Sequence, residues 1–148
     1  MSILAALCLV AGSLQVAIPT QRFTLRWQHS IEKIDWEEDY LVVGGWLFLN
    51  SARVRGSGAG MEPPPGSFYA QGVWHYRPAP DMRWTRSLPL TRSEFARDYD
   101  LCVNGSCRAL SNWIPIAAGT TTLMPCQISP TGPAAGRSLP PAKYPSAK

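Results

Sequence analysis

An all-β domain, an antiparallel β-sandwich or partly open barrel of about 7–9 short strands, is what the sequence predicts. Three observations lead there. Six Trp, five Tyr and four Phe favour strands. Fourteen Pro and twelve Gly, spread along 148 residues, leave no uninterrupted stretch for a long amphipathic helix. Segments in which apolar and polar residues alternate with period two are separated by turn residues at short intervals. A chain of this length forms one domain able to bury its own core.

The first element is the apolar run Ile3-Leu4-Ala5-Ala6-Leu7-Cys8-Leu9-Val10, followed by Ala11-Gly12-Ser13. Its length and small-residue end match an export signal, so residues 1–13 are expected to be a signal peptide or membrane-anchor segment. No Lys or Arg precedes the run, and Ile3 to Ile18 falls short of the roughly twenty apolar residues of a spanning helix. Leu7 stands where a lipidated cysteine has a small residue, which argues for a plain signal over a lipoprotein.

The all-β domain is expected over residues 14–126. Leu14, Val16 and Ile18 alternate with Gln15 and Ala17, a short strand ended by Pro19. Phe23, Leu25 and Trp27 alternate with Thr24, Arg26 and Gln28, a half-buried strand whose inward parity reaches His29 at the rim. In the next strand Trp36, Glu38, Tyr40 and Val42 share one face, and Glu37, Asp39, Leu41 and Val43 the other. Gly44-Gly45 turns the chain into Trp46–Val54, read as a central strand antiparallel to its predecessor. The Gly-rich stretch from Gly56 to Gly60 and the prolines Pro63, Pro64 and Pro65 form a shaped loop. It lacks the Gly-Lys-Ser/Thr ending of a phosphate loop. Further strands are expected at 72–77, 82–88, 98–103, 106–110 and 120–124, with one helical turn after the capping-box-like Thr91-Arg92-Ser93-Glu94. Residues 127–148, rich in Pro, Gly and Ala, have little to bury and are expected to be a disordered tail.

Cysteines stand at 8, 102, 107 and 126, with no spacing that suits a metal finger. Asn104-Gly105, the strongest two-residue hairpin signal, lies midway between Cys102 and Cys107. The turn makes the two cysteines direct cross-strand neighbours, so a Cys102–Cys107 disulfide is predicted, which pins the hairpin register and requires an oxidising compartment. The net charge of +4 comes from basic residues scattered without a block or interleaved stacking aromatics, which excludes nucleic acid as a partner.

The stretch from Trp27 to Tyr40 holds one of the two histidines and five of the ten acids. His29, Ser30, Glu32, Lys33, Glu37, Glu38 and Tyr40 are its candidate site residues. His29 and Ser30 point to opposite faces of an extended segment, so they do not form a nucleophile and base, and no Gly-x-Ser-x-Gly elbow is present. Two readings stay open: a ligand or partner site walled by Trp27, Trp36 and Tyr40, or a polar network that satisfies a sheet corner. No cofactor or metal is assigned. An ion held by His29, a nearby Glu and His75 is the metal alternative.

The motifs Phe23-Thr24-Leu25-Arg26-Trp27-Gln28-His29-Ser30-Ile31-Glu32-Lys33, Glu37-Glu38-x-Tyr40, Gly58-Ala59-Gly60-Met61 and Pro63-Pro64 resemble those of a family of small exported bacterial domains of unknown function. Its members are commonly encoded beside, or fused to, TRAP-type transporters of the TAXI subfamily, whose extracytoplasmic binding proteins capture organic solutes. The resemblance spans about Leu14 to Met124. It implies a periplasmic or cell-envelope, non-enzymatic accessory domain of solute uptake that binds a small ligand or the transporter's solute-binding protein. It adds Gly58, Ala59 and Gly60 to the site residues and carries no catalytic ones. The alternative is a small envelope enzyme or metal-binding protein using His29 and Glu37 or Glu38. Contact with a membrane is expected only through residues 1–13, if these stay attached.

Overall fold

The computed structural model describes residues 3–28, 34–55 and 65–129. In chain order its strands are β1 (Leu4–Ala11), β2 (Leu14–Ile18), β3 (Arg22–Gln28), β4 (Asp35–Val43), β5 (Trp46–Arg55) and β6 (Phe68–Ala70). They continue as β7 (Val73–Tyr76), β8 (Trp84–Thr85), β9 (Leu88–Leu90), β10 (Asp100–Val103), β11 (Ser106–Ala109) and β12 (Thr121–Ile128). Two antiparallel sheets form a sandwich that does not close into a barrel. The smaller has the order β2-β1-β12-β9, and the larger β11-β10-β3-β4-β5-β7-β6, with β8 on the first part of β5.

The β4–β5 hairpin is the centre of the larger sheet. Gly44 and Gly45 have φ of 53° and 87°, left-handed values that match a two-residue turn to the twist of the sheet, and Val43 faces Trp46 across it. Further along, Asp39 pairs with Ser51 but Tyr40 with Leu49, so Asn50 is an extra residue, a β-bulge. The bulge shifts the parity of β5. Leu47 and Leu49 face inward before it, Ala52 and Val54 after it, and all four are buried.

The core fills the space between the sheets. Leu7 and Leu9 of β1 and Leu123 of β12, all fully buried, pack with Phe23, Leu25, Tyr40, Val42, Leu49 and Leu101 of the larger sheet. Each such leucine stabilises the fold by about 1.5–3 kcal/mol through apolar burial.

The N-terminal run expected to precede the domain is placed inside it. Leu4–Ala11 lies between β12 and β2, with Leu7, Leu9 and Ala11 in the core and Cys8 bonded to Cys126. Ala6 and Cys8, of the opposite parity, are also buried beside Met124 and Cys126. A strand buried on both faces is apolar at every position, and composition alone does not separate it from the apolar part of a signal. In this structure residues 4–11 are thus one of the two inner strands of the smaller sheet, the strand that a cut after Ser13 would remove. At the other end β12 runs to Ile128; the tail expected from residue 127 otherwise lies outside the described residues from 130 on.

The strand expected over 82–88 is divided. A 3-10 turn ends at Met82, β8 pairs with β5 in the larger sheet, and β9 pairs with β12 in the smaller one. The chain crosses between sheets at Arg86-Ser87, a switch that periodicity does not encode. After β9, Arg92 donates to both carboxylate oxygens of Asp98 and to Thr121 Oγ1, with its side chain fully buried. This pair ties the 91–99 connection to β12.

The predicted Cys102–Cys107 bridge is present, on directly opposed residues beside the Asn104-Gly105 turn. Its loop is short, at a separation of 5 residues, against 118 for Cys8–Cys126. Loop-closure entropy assigns about 2 kcal/mol to the first and about 5 kcal/mol to the second. Replacing both Cys8 and Cys126 by Ser should lower the urea midpoint clearly more than replacing Cys102 and Cys107; equal losses would show that loop length does not set their contributions.

Candidate functional site

The larger sheet has two faces of different chemistry, and β4 divides its acids between them. Glu37 and Asp39 point outward, Glu38 and Tyr40 inward, as strand parity requires. Across the outer face the row Asp100, Arg26, Glu37, Arg53 runs through β10, β3, β4 and β5 with charges of alternating sign and continues to His75 on β7. Arg53 Nε donates to Glu37 Oε2 at 2.9 Å, and its two terminal nitrogens to Asp39; Arg55 Nε donates to Glu37 Oε1 at 2.9 Å. Arg26 donates to Asp100 at 3.0 Å. Thr24 and Ser51 hydroxyls each donate to Asp39 at 2.7 Å.

Glu37 is only 6% exposed. Burial by itself raises its pKa, but hydrogen bonds from Arg55 and Arg53 outweigh that and hold it below the usual carboxylate value. Burial likewise works against Asp39, yet the bonds from Arg53, Thr24 and Ser51 hold its carboxyl down at about 2. Both are fixed anions inside a satisfied network. Neither is a proton acceptor at neutral pH.

The inner face differs. Here Trp27, Trp36, Val54, Trp74 and Tyr69 form one cross-strand row, and Leu25, Glu38, Ala52 and Tyr76 the next. Trp27 and Trp36 stack with ring centroids 6.2 Å apart, Trp27 meets Tyr99 at 6.2 Å, and Tyr69 meets Trp74 edge-on at 5.2 Å. The indole Nε1 of Trp36 is buried with no hydrogen-bond partner among the described residues. Glu38 accepts a 3.2 Å hydrogen bond from the Tyr40 hydroxyl, and no cation pairs with it among the described residues. Burial pushes its pKa up, offset only in part by Tyr40. Burial, then the Glu38 charge, raises the Tyr40 and Tyr76 hydroxyls too, so both stay protonated.

Of the expected site residues, His29, Ser30, Glu32, Lys33, Gly58, Ala59 and Gly60 lie outside the described residues. Their attachment points are described: Gln28, Asp35 and Arg55 are cross-strand neighbours at one end of the sheet. Among the described residues Glu37 is engaged by Arg53 and Arg55. Those arginines stand at period two on β5 opposite two acids, a signal hidden by the Asn50 bulge that sets the register. His75 stacks on Phe68 at 5.0 Å on the outer face, opposite to Glu38, so the two do not share an ion. Among the described residues no group of His, Cys, Asp and Glu is placed to hold a metal.

The arrangement defines a doubly disulfide-bonded all-β domain, with one sheet face held by an ion-pair ladder and the other carrying an aromatic row. Disulfides of this kind belong to an oxidising, non-cytoplasmic setting, and among the described residues no helix is long and apolar enough to cross a membrane. The chain belongs to the DUF1850 family, described as a domain of unknown function, whose model matches residues 23–110. That match takes in nearly all of the larger sheet and leaves β1, β2 and β12 outside it. No curated protein and no solved structure matches the chain.

Two pH effects follow, of opposite sign. Asp39 has a depressed folded pKa, so its stabilisation is complete above its ordinary 3.8 and is lost as pH falls through about 2. Asp39→Asn should cost about 2 kcal/mol at neutral pH, with the gap to wild type closing in acid; a gap independent of pH in urea titrations would contradict this. Glu38 has a raised folded pKa, so the native state binds its proton more tightly and stability falls as pH rises through that value. Glu38→Gln keeps an acceptor for Tyr40 and should be more stable than wild type at pH 7, the gain shrinking in acid. A less stable Gln variant at pH 7 would reverse the assignment.

Proposed function

We propose that this chain is an exported, non-enzymatic accessory domain of a TAXI-type TRAP solute uptake system, and that it binds a small ligand or the transporter's solute-binding protein. The observation that carries this reading is the row Gln28, Asp35, Arg55: the strand ends from which the His29–Lys33 and Gly58–Gly60 motifs depart are side by side. Beside them on the inner face lie the stacked Trp27 and Trp36, and a buried indole N–H that is available to an acceptor. The disulfides fit an extracytoplasmic workplace. The alternative, a small envelope enzyme or metal protein using His29 with Glu37 or Glu38, loses Glu37 to two arginines and has its two glutamates on opposite faces.

Calorimetry or pull-down against the cognate solute-binding protein and its solutes tests the reading. Wild type should bind. Trp36→Phe, which keeps a stacking ring but removes the N–H, should weaken binding about five- to tenfold, and His29→Ala and Glu38→Ala should weaken it as well. No binding by any form, together with metal found tightly bound in the purified protein, would replace this reading with the alternative.

A further inference from the structure

The outer face of the larger sheet changes character along its strands. Its half near Arg55 is the ion-pair ladder; its half near the Gly44-Gly45 turn is apolar. One row across four strands reads Arg22, Leu41, Phe48, Trp84, and Val43 faces Trp46 in another. Phe48 and Trp84 rings lie 4.7 Å apart and Trp46 and Trp84 rings 6.4 Å apart, so the aromatics form one continuous patch. The patch is open: Trp84 is 47% exposed, Val43 43% and Trp46 36%, and Met82, two residues before Trp84 in the chain, is 74% exposed. None of these side chains contributes to the core between the sheets.

Two arginines lie on the patch. Arg86 sits 4.0 Å above the Trp46 ring and Arg83 5.4 Å from the Phe48 ring centre, with Arg83 Nε also donating to the Pro78 carbonyl. Arg22 closes the far side. None of the three pairs with an acid among the described residues, whereas Glu37, Asp39 and Asp100 on the same face are each taken by an arginine of the ladder. Asp81, beside Met82, is the one acid adjacent in the chain.

We propose that this patch is a docking surface for an anionic phospholipid bilayer. Indoles and a phenyl ring with guanidiniums over them match the headgroup level of a membrane, where aromatic rings take the apolar boundary and arginines the phosphates. The unpaired positive charge supplies the complementarity. A second copy of the chain fits less well, because a two-fold contact would set Arg22, Arg83 and Arg86 against their own like charges. The patch lies on the face opposite Trp27 and Trp36, so it is independent of the site proposed above.

Co-sedimentation of the intact, oxidised protein with vesicles tests it, using phosphatidylcholine alone and phosphatidylcholine with phosphatidylglycerol. Wild type should bind the phosphatidylglycerol vesicles, more weakly as salt is raised, and bind phosphatidylcholine poorly. Replacing Arg83 and Arg86 by Gln should cut binding about 25-fold, roughly fivefold for each arginine. Replacing Trp46 and Trp84 by Ser should abolish it, while Phe95→Ser, at an exposed aromatic outside the patch, should leave it unchanged. Unchanged melting temperatures in these surface variants establish that the fold is intact. The proposal is overturned if wild type ignores the anionic vesicles, if both double variants still bind, or if the patch variants instead abolish self-association or capture of a protein partner.

Discussion

The structure depends on one act of burial. Leu7 and Leu9 of β1 and Leu123 of β12 close over the inner face of the larger sheet, where Phe23, Leu25, Tyr40, Val42 and Leu49 wait for an apolar cover. The smaller sheet brings only four strands to that task, and one of them is three residues long. The aromatic row through Trp27, Trp36 and Trp74 stays only partly buried, packed by its own rings and by Tyr69 and Tyr99.

The outer face meets a different constraint. Among the described residues it has no second layer, so beyond the backbone ladder its side chains are held only by one another. At one end that is the ladder of arginines and carboxylates, in which a nearly buried Glu37 is held by two guanidiniums. An acid placed there without them would carry the full cost of desolvation. At the other end the same role falls to aromatic rings and the cations above them. A single sheet thus keeps its register by two unrelated means, which leaves each end free to change without disturbing the other.

Much of this was legible in the sequence, for reasons that can be traced to particular residues. Alternation marked β2, β3, β4, β7, β10 and β11, the paired glycines placed the β4–β5 turn, and Asn104-Gly105 located the short disulfide. Strand parity alone also puts Glu37 and Glu38 on opposite faces. What escaped shares a cause: it depends on relations between distant segments. An apolar run covered on both sides, Leu4–Ala11, carries no alternation. The bulge at Asn50 breaks the period and so hides which arginines meet which acids. The split of 82–88 between two sheets, and the partnership of Cys8 with Cys126, are set by topology alone.

The pairing of β1 with β12 joins the first described strand to the last, and this fixes an order of events as well as a shape. The hairpins β4–β5 and β10–β11 bring together residues close in sequence and can form early, but the inner face they present has no cover until Thr121–Ile128 is available to pair with β1. A nascent chain therefore carries an open apolar sheet for most of its synthesis or transfer, the condition in which edge strands find the wrong partners. Cys8 must stay unpaired, and clear of Cys102 and Cys107, until Cys126 arrives. The adjacent pair, closing early and locally, takes two of the competing thiols out of that wait.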